Sequence, residues 1–153
     1  TFGMVQVEVT SRWGNVQLLK GKGSAGTRDA LQKMITELKC MTGDETRVVV
    51  RVHSDDGREF EGKFGDWYKQ QHIKQTNTGG YRSKGNSIVE RRIRMLRDTF
   101  RAILLTATGG KEYYQALWGL GMKHANWCIN SAEWRARPSP YENLTGGGYV
   151  FGK

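Results

Sequence analysis

Acidic residues and cysteines are scarce in this 153-residue chain, and long apolar runs are missing altogether. Fifteen Asp and Glu stand against 24 Lys and Arg, for a net charge of +9 and a pI near 9.8. Such an imbalance points to a polyanionic partner, because Lys and Arg neutralise phosphates and release counterions; a merely basic surface of the ribosomal kind has the same composition. No window approaches the roughly 18 apolar residues of a membrane span, and no signal peptide is visible. The two cysteines, Cys40 and Cys128, each sit in an apolar helical pattern, which reads as buried reduced thiols rather than a disulfide. With His53, His72 and His124 they make no zinc spacing, so no zinc module is expected. Length suits one domain with a sizeable core.

What is present is an alternation of strand and helix signals. Residues 2–9 are strand-like, a turn falls near Arg12–Gly14, and a second strand runs over about 15–20. After a loop from Gly21 to Gly26, Ala30, Leu31, Met34, Ile35, Leu38 and Met41 recur at helical spacing, with Thr27 as N-cap and Gly43 as stop. Arg47 to His53 is a short apolar run of the kind found in buried parallel strands. A helix near 60–71, a strand near 73–76 and a glycine-rich basic loop around 76–86 follow. In the next helix Val89, Ile93, Leu96, Phe100 and Ile103 define a core stripe, while Glu90, Arg94, Arg97 and Arg101 share a neighbouring face. A last helix spans about 111–131, with Tyr113, Leu117, Leu120, His124 and Cys128 along one face. Its aromatics Trp118 and Trp127 read as core, and so does His124. Residues 1–135 form one domain in this reading, and 136–153 a loosely ordered tail.

Two segments carry the chemistry. Val52-His53-Ser54-Asp55-Asp56-Gly57-Arg58-Glu59-Phe60 puts a carboxylate at the end of an apolar run, just before a glycine turn. Gly85-Asn86-Ser87-Ile88-Val89-Glu90-Arg91-Arg92 puts a lone glutamate near the start of an arginine-rich helix. Separated carboxylates beside a basic surface suit metal-assisted phosphodiester chemistry, since Mg²⁺ takes oxygen ligands from one or two carboxylates and from the substrate's phosphates. An ordinary Asx turn would also explain Asp55 and Asp56, and Glu59 could simply open the following helix. A solvated face with Glu90 paired to Arg94 would be worth only about 0.3–0.5 kcal/mol.

Together the segments resemble the catalytic core of retroviral and retrotransposon integrases, of the ribonuclease-H-like superfamily. That family has an (S/T)-D-N-G-x-E-F segment followed about 35 residues later by (G/N)-(V/I)-V-E-R. Here 34 residues separate Asp55 from Glu90. Val7-Glu8-Val9-Thr10-Ser11-Arg12-Trp13 resembles the family's second strand, Leu19-Lys20-Gly21-Lys22 its L-K-x-K segment, and Trp118 through Pro140-Tyr141-Glu142 its copia-type tail.

The resemblance implies an α/β fold, a ribonuclease-H-like mixed sheet flanked by helices, here lacking the first strand. In that register the first of three catalytic acids lies upstream of Thr1, and the chain reads as a fragment of a polyprotein. Glu8 then falls at a structural position; a rival register would make it a stand-in for the absent acid. The family's first strand is central, so its loss leaves two strand edges to pair elsewhere. By resemblance Asp55 and Glu90 are the catalytic and metal-binding residues, the cofactor is Mg²⁺ or Mn²⁺, and Arg82, Lys84, Arg91 and Arg94 contact nucleic acid. The implied activity is 3′-end processing and strand transfer of element DNA into target DNA, weak in a chain with two of three acids. Element ends and target DNA are the implied partners, with a homo-oligomer, no membrane, and a nuclear or cytoplasmic-particle location. Two alternatives stand beside this: a decayed, non-catalytic nucleic-acid-binding fragment, and a ribonuclease-H-like nuclease.

Overall fold

A computed structural model describes residues 2–21, 23–55, 63–77, 86–109, 117–133 and 137–147. The order is β1 (Phe2–Val7), β2 (Gly14–Leu19), α1 (Ser24–Thr42), β3 (Arg51–Ser54), α2 (Lys63–Gln70), β4 (Lys74–Asn77), α3 (Ser87–Thr108), α4 (Trp118–Ser131) and α5 (Pro140–Thr145). The α/β class is as expected. Among the described residues the strands form two separate pairs, β1 with β2 and β3 with β4. The six-residue link from Glu8 to Trp13 is far too short for a crossover, so β1 and β2 form a hairpin. The β3–β4 pair is parallel, in the register Arg51↔Lys74 through Ser54↔Asn77, with α2 supplying the crossover. No helix among the described residues is long and apolar enough to cross a membrane.

The chain divides into two compact units, residues 1–4 with 18–87 and residues 5–17 with 88–153. In the first, α1 buries Thr27, Ala30, Leu31, Met34 and Leu38, one stripe at helical spacing. The α2 helix packs on α1 and on β4, burying Phe64 and Tyr68, whose rings meet edge to face at 4.8 Å. Each such burial contributes about 1.5–3 kcal/mol. Helix α1 starts a turn earlier than its sequence suggests: Gly23 is the N-cap, and Thr27 lies inside the helix with its hydroxyl donating to the Gly23 carbonyl at 3.2 Å. At the other end Gly43 takes the left-handed conformation (φ 64°), as its place after the apolar stripe predicts. The apolar run before Ser54 is not a buried strand. Val48 and Val50 are each 71% exposed, and pairing begins only at Arg51.

In the second unit Val16, Leu96, Ala125 and Ile129 are buried together, with Val5, Phe100, Ile103 and Met122 packed around them. Ile93 departs from its expected core role and is 42% exposed, because the inward position one residue earlier is taken by Arg92, at 5%. On α4 the predicted apolar face is also turned outward. Leu117, Leu120, His124 and Trp127 are exposed, and Ala125, Asn126, Ile129 and Asn130 are buried instead. Tyr113 lies outside the described residues. Both cysteines are free thiols, but Cys40 is exposed and Cys128 half-buried. Where a loose tail was expected, residues 140–145 form α5. Ser139 and Glu142 cap its start reciprocally, Pro140 opens it, Gly146 closes it at φ 72°, and Leu144 is buried. The Ser139-Pro140-Tyr141-Glu142 spacing of that capping box is a physical signal for a helix start.

Candidate metal and nucleic-acid site

The carboxyl end of the β3–β4 pair is polar. In-register neighbours on parallel strands lie side by side, and two pairs here are bonded: His53 Nδ1 with Thr76 Oγ1 at 2.9 Å, and Ser54 Oγ to Asn77 Oδ1 at 3.3 Å. Asp55 follows immediately and is exposed. It stands at the strand end where open α/β sheets collect ligands. Asp56, Glu59, Arg82 and Lys84 lie outside the described residues.

Glu90 sits in the first turn of α3, exposed, where a carboxylate complements the helix dipole. Arg91 and Arg94 are exposed as well. The ion pair of a solvated face, Glu90 with Arg94, is not formed among the described residues, whereas Arg28–Asp29 and Lys69–Asp66 are. Asp55 belongs to the first unit and Glu90 to the second. Neither carboxylate has a bonded partner among the described residues, and both are hard oxygen donors of the kind Mg²⁺ and Mn²⁺ prefer. No cluster of three or more His, Cys, Asp or Glu able to hold a metal occurs among the described residues.

Glu8 is in the opposite condition. Its carboxylate accepts from the Thr10 backbone N–H at 3.0 Å and from the Ser11 N–H and hydroxyl, both at 2.6 Å. The hairpin loop is closed further by Glu8 N–H to the Trp13 carbonyl at 2.8 Å, with Arg12 left-handed at φ 66°. Partial burial pushes this carboxyl up, but the bonds from Ser11 and Thr10 outweigh it and hold the group below its ordinary value. A carboxylate bonded in this way stabilises its own turn.

Sequence reasoning missed a buried polar cluster in the second unit. Arg92 Nη2 donates to Asn126 Oδ1 at 2.5 Å, Asn130 Oδ1 at 2.6 Å and the Asn126 carbonyl at 3.2 Å. Both asparagine amides donate to the Gly14 carbonyl at 2.8 Å, and the Gly14 N–H donates to Asn130 Oδ1 at 3.0 Å. Only one orientation of each amide satisfies all these partners. Burial lowers the Arg92 pKa to about 10, so the guanidinium is still charged at neutral pH. The signals were a cation four residues before Leu96 on the core side of α3, and two asparagines one helical turn apart.

Against solved structures the chain matches integrase chains over nearly all its length. The simian T-cell lymphotropic virus intasome, solved with a PP2A regulatory subunit, gives a TM-score of 0.71 at 16% identity over 92% of this chain. The fold is that of a retroviral integrase catalytic core. The BIV integrase catalytic core gives 0.65 at 22% identity, covering 90% of this chain and 81% of that one. The HTLV-2 integrase catalytic core, solved with magnesium, gives 0.65 at 18% identity and 93% coverage of both chains. The chain spans 46% of the simian virus chain it matches. No protein-family model matches this sequence, and neither does any curated protein. The integrase-core likeness is therefore one of fold, carried without close sequence kinship.

Proposed function

We propose that this chain is the catalytic core of a retrotransposon integrase of copia type, acting on element ends and target DNA with Mg²⁺ or Mn²⁺. One observation carries the assignment of its ligands. Of the three acids weighed as ligands, Glu8 is bonded within its own loop, while Asp55 and Glu90 are exposed and uncommitted among the described residues. The integrase-core fold supports the same reading. Asp55 and Glu90 hold the divalent ions. A divalent ion held by these two carboxylates would supply Lewis-acid chemistry to the phosphate. Arg91 and Arg94, together with Arg82 and Lys84, bind the DNA backbone and neutralise phosphates. The reaction is two in-line displacements at phosphorus: water frees a 3′ hydroxyl at the element end, and that hydroxyl then displaces a 3′ oxygen in the target strand. No covalent enzyme intermediate is needed. Oligomers of this chain, in the nucleus or a cytoplasmic particle, belong to the proposal.

The net charge of +9 supports a second reading, a basic nucleic-acid binder without catalysis. Fluorescence anisotropy of a labelled duplex, titrated with salt in the presence and absence of Mn²⁺, separates the two. The integrase reading expects binding that Mn²⁺ strengthens, an increment that Asp55→Asn and Glu90→Gln both remove. Binding that falls steeply with salt but ignores Mn²⁺ and both substitutions would establish the second reading.

A further inference from the structure

The first two turns of α3 are anchored in an unusual way. From residue 86 to residue 95, Arg92 is the one buried side chain; Ile93 and Met95 are 42% and 37% exposed, and Glu90, Arg91 and Arg94 face solvent. An apolar stripe normally fixes which way a helix faces; here Ile88 and Val89 are only half-buried, and the fully buried stripe begins at Leu96. The deepest anchor of the segment before it is the Arg92 guanidinium, gripped by Asn126 and Asn130 of α4, which in turn grip the Gly14 backbone at the start of β2. Gly14 has no Cβ, and one added there would lie 2.6 Å from Arg92 Nε. The guanidinium therefore packs directly on the strand. No acid balances its charge among its bonded partners, so a hydrocarbon side chain would pack at this point at lower desolvation cost. The ionic group supplies direction, because its Nη2 bonds are made at one rotation of the helix and broken at others, although its buried Nε has no partner.

We propose that Arg92 is the positioning residue for Glu90. This rests on the reading of Glu90 as a metal ligand. The two residues are separated by about 200° around a helix of 3.6 residues per turn, so holding Arg92 inward holds Glu90 outward. The clamp fixes the rotation of the turn that carries the carboxylate, and the asparagines of α4 reach the metal site through it.

The test uses the full chain and Mn²⁺ as probe, with Arg92→Met, Arg92→Lys and Asn130→Ala beside Glu90→Gln. Mn²⁺ affinity is read together with amide hydrogen exchange at residues 91–95, whose N–H groups have intrahelical partners. Arg92→Met and Asn130→Ala should each weaken Mn²⁺ binding by about tenfold or more, the scale on which supporting residues act on metal ligands. Exchange at 91–95 should speed up while that of residues 97–104 stays unchanged, and Arg92→Lys should lie between. Asn130→Ala leaves the sequence of α3 intact, and it decides the matter if Arg92→Met fails to fold. If Glu90→Gln abolishes Mn²⁺ binding but folded Arg92→Met and Asn130→Ala keep it within about twofold, the positioning role is refuted. If Glu90→Gln leaves Mn²⁺ binding unchanged, the ligand reading itself falls.

Discussion

Two glycine-to-alanine changes should act in opposite directions, and the difference measures how tightly the buried arginine is held. A Cβ at Gly14 would stand 2.6 Å from Arg92 Nε, 2.7 Å from Cζ and 2.8 Å from Nη2. Relief to ordinary contact requires the guanidinium to retreat by roughly 0.7 Å, which is overpacking at a cost of about 1–3 kcal/mol. The same retreat stretches the 2.5 and 2.6 Å bonds from Nη2 to Asn126 and Asn130. Losing one charge-assisted bond of that kind costs about 1.5–3 kcal/mol. Gly14→Ala should therefore destabilise by about 3 kcal/mol, a fall in melting temperature of roughly 6–12 °C for a chain of this size. Gly26 lies in the first turn of α1 with nothing within 4 Å of an added Cβ. Gly26→Ala should stabilise by about 0.5–1 kcal/mol through reduced freedom of the unfolded chain. Urea unfolding followed by circular dichroism gives both values, with unchanged slopes expected. In an Arg92→Ala background the Gly14→Ala penalty should largely vanish, since the two side chains then no longer meet. A Gly14→Ala loss under about 1 kcal/mol, or a penalty that persists without Arg92, would refute the clamp.

Further outcomes follow from other contacts. A Cβ at Gly121 would collide with the Phe100 ring, so Gly121→Ala should cost about 1–3 kcal/mol, partly recovered by Phe100→Leu. Hydrogen bonds from Ser11 and Thr10 hold the folded Glu8 carboxyl below its ordinary 4.5 despite the opposing effect of burial. Its contribution is present above that value and is lost as pH falls through the lower folded pKa. Glu8→Gln should flatten that part of an acid-unfolding curve, and an unaltered acid limb would contradict the turn assignment. Arg91→Ala and Arg94→Ala should each reduce the salt slope of DNA binding by about one and weaken binding alike across DNA sequences.

Much of the fold is legible because the signals are local. Gly43 ends α1 where the apolar stripe stops and only a residue tolerant of positive φ fits. The order of strands and helices follows from short runs separated by turn residues. What was illegible depends on partners distant in sequence. Periodicity places Ile93 in the core stripe of α3, yet Arg92 occupies the inward position because Asn126 and Asn130, more than thirty residues away, offer it acceptors. The valines before Ser54 read as a buried strand, but burial requires covering layers that an apolar run cannot report, and Val48 and Val50 are exposed. On α4 both faces carry apolar residues. The spacing of Leu117, Leu120 and His124 cannot rank that face against Ala125 and Ile129, which pack on Leu96. At the candidate site the sequence names Asp55 and Glu90 through their motifs. The polar pairs His53–Thr76 and Ser54–Asn77 beside Asp55 appear only once the parallel register is known.

Mn²⁺ binding to the purified chain, wild type beside Asp55→Asn and Glu90→Gln, tests the central claim most directly. The account predicts that wild type binds and that either substitution abolishes binding, because the proposal makes each of these carboxylates a ligand. Binding that is absent, or equal in all three proteins, would mean that the chain carries the integrase-core fold without its metal chemistry.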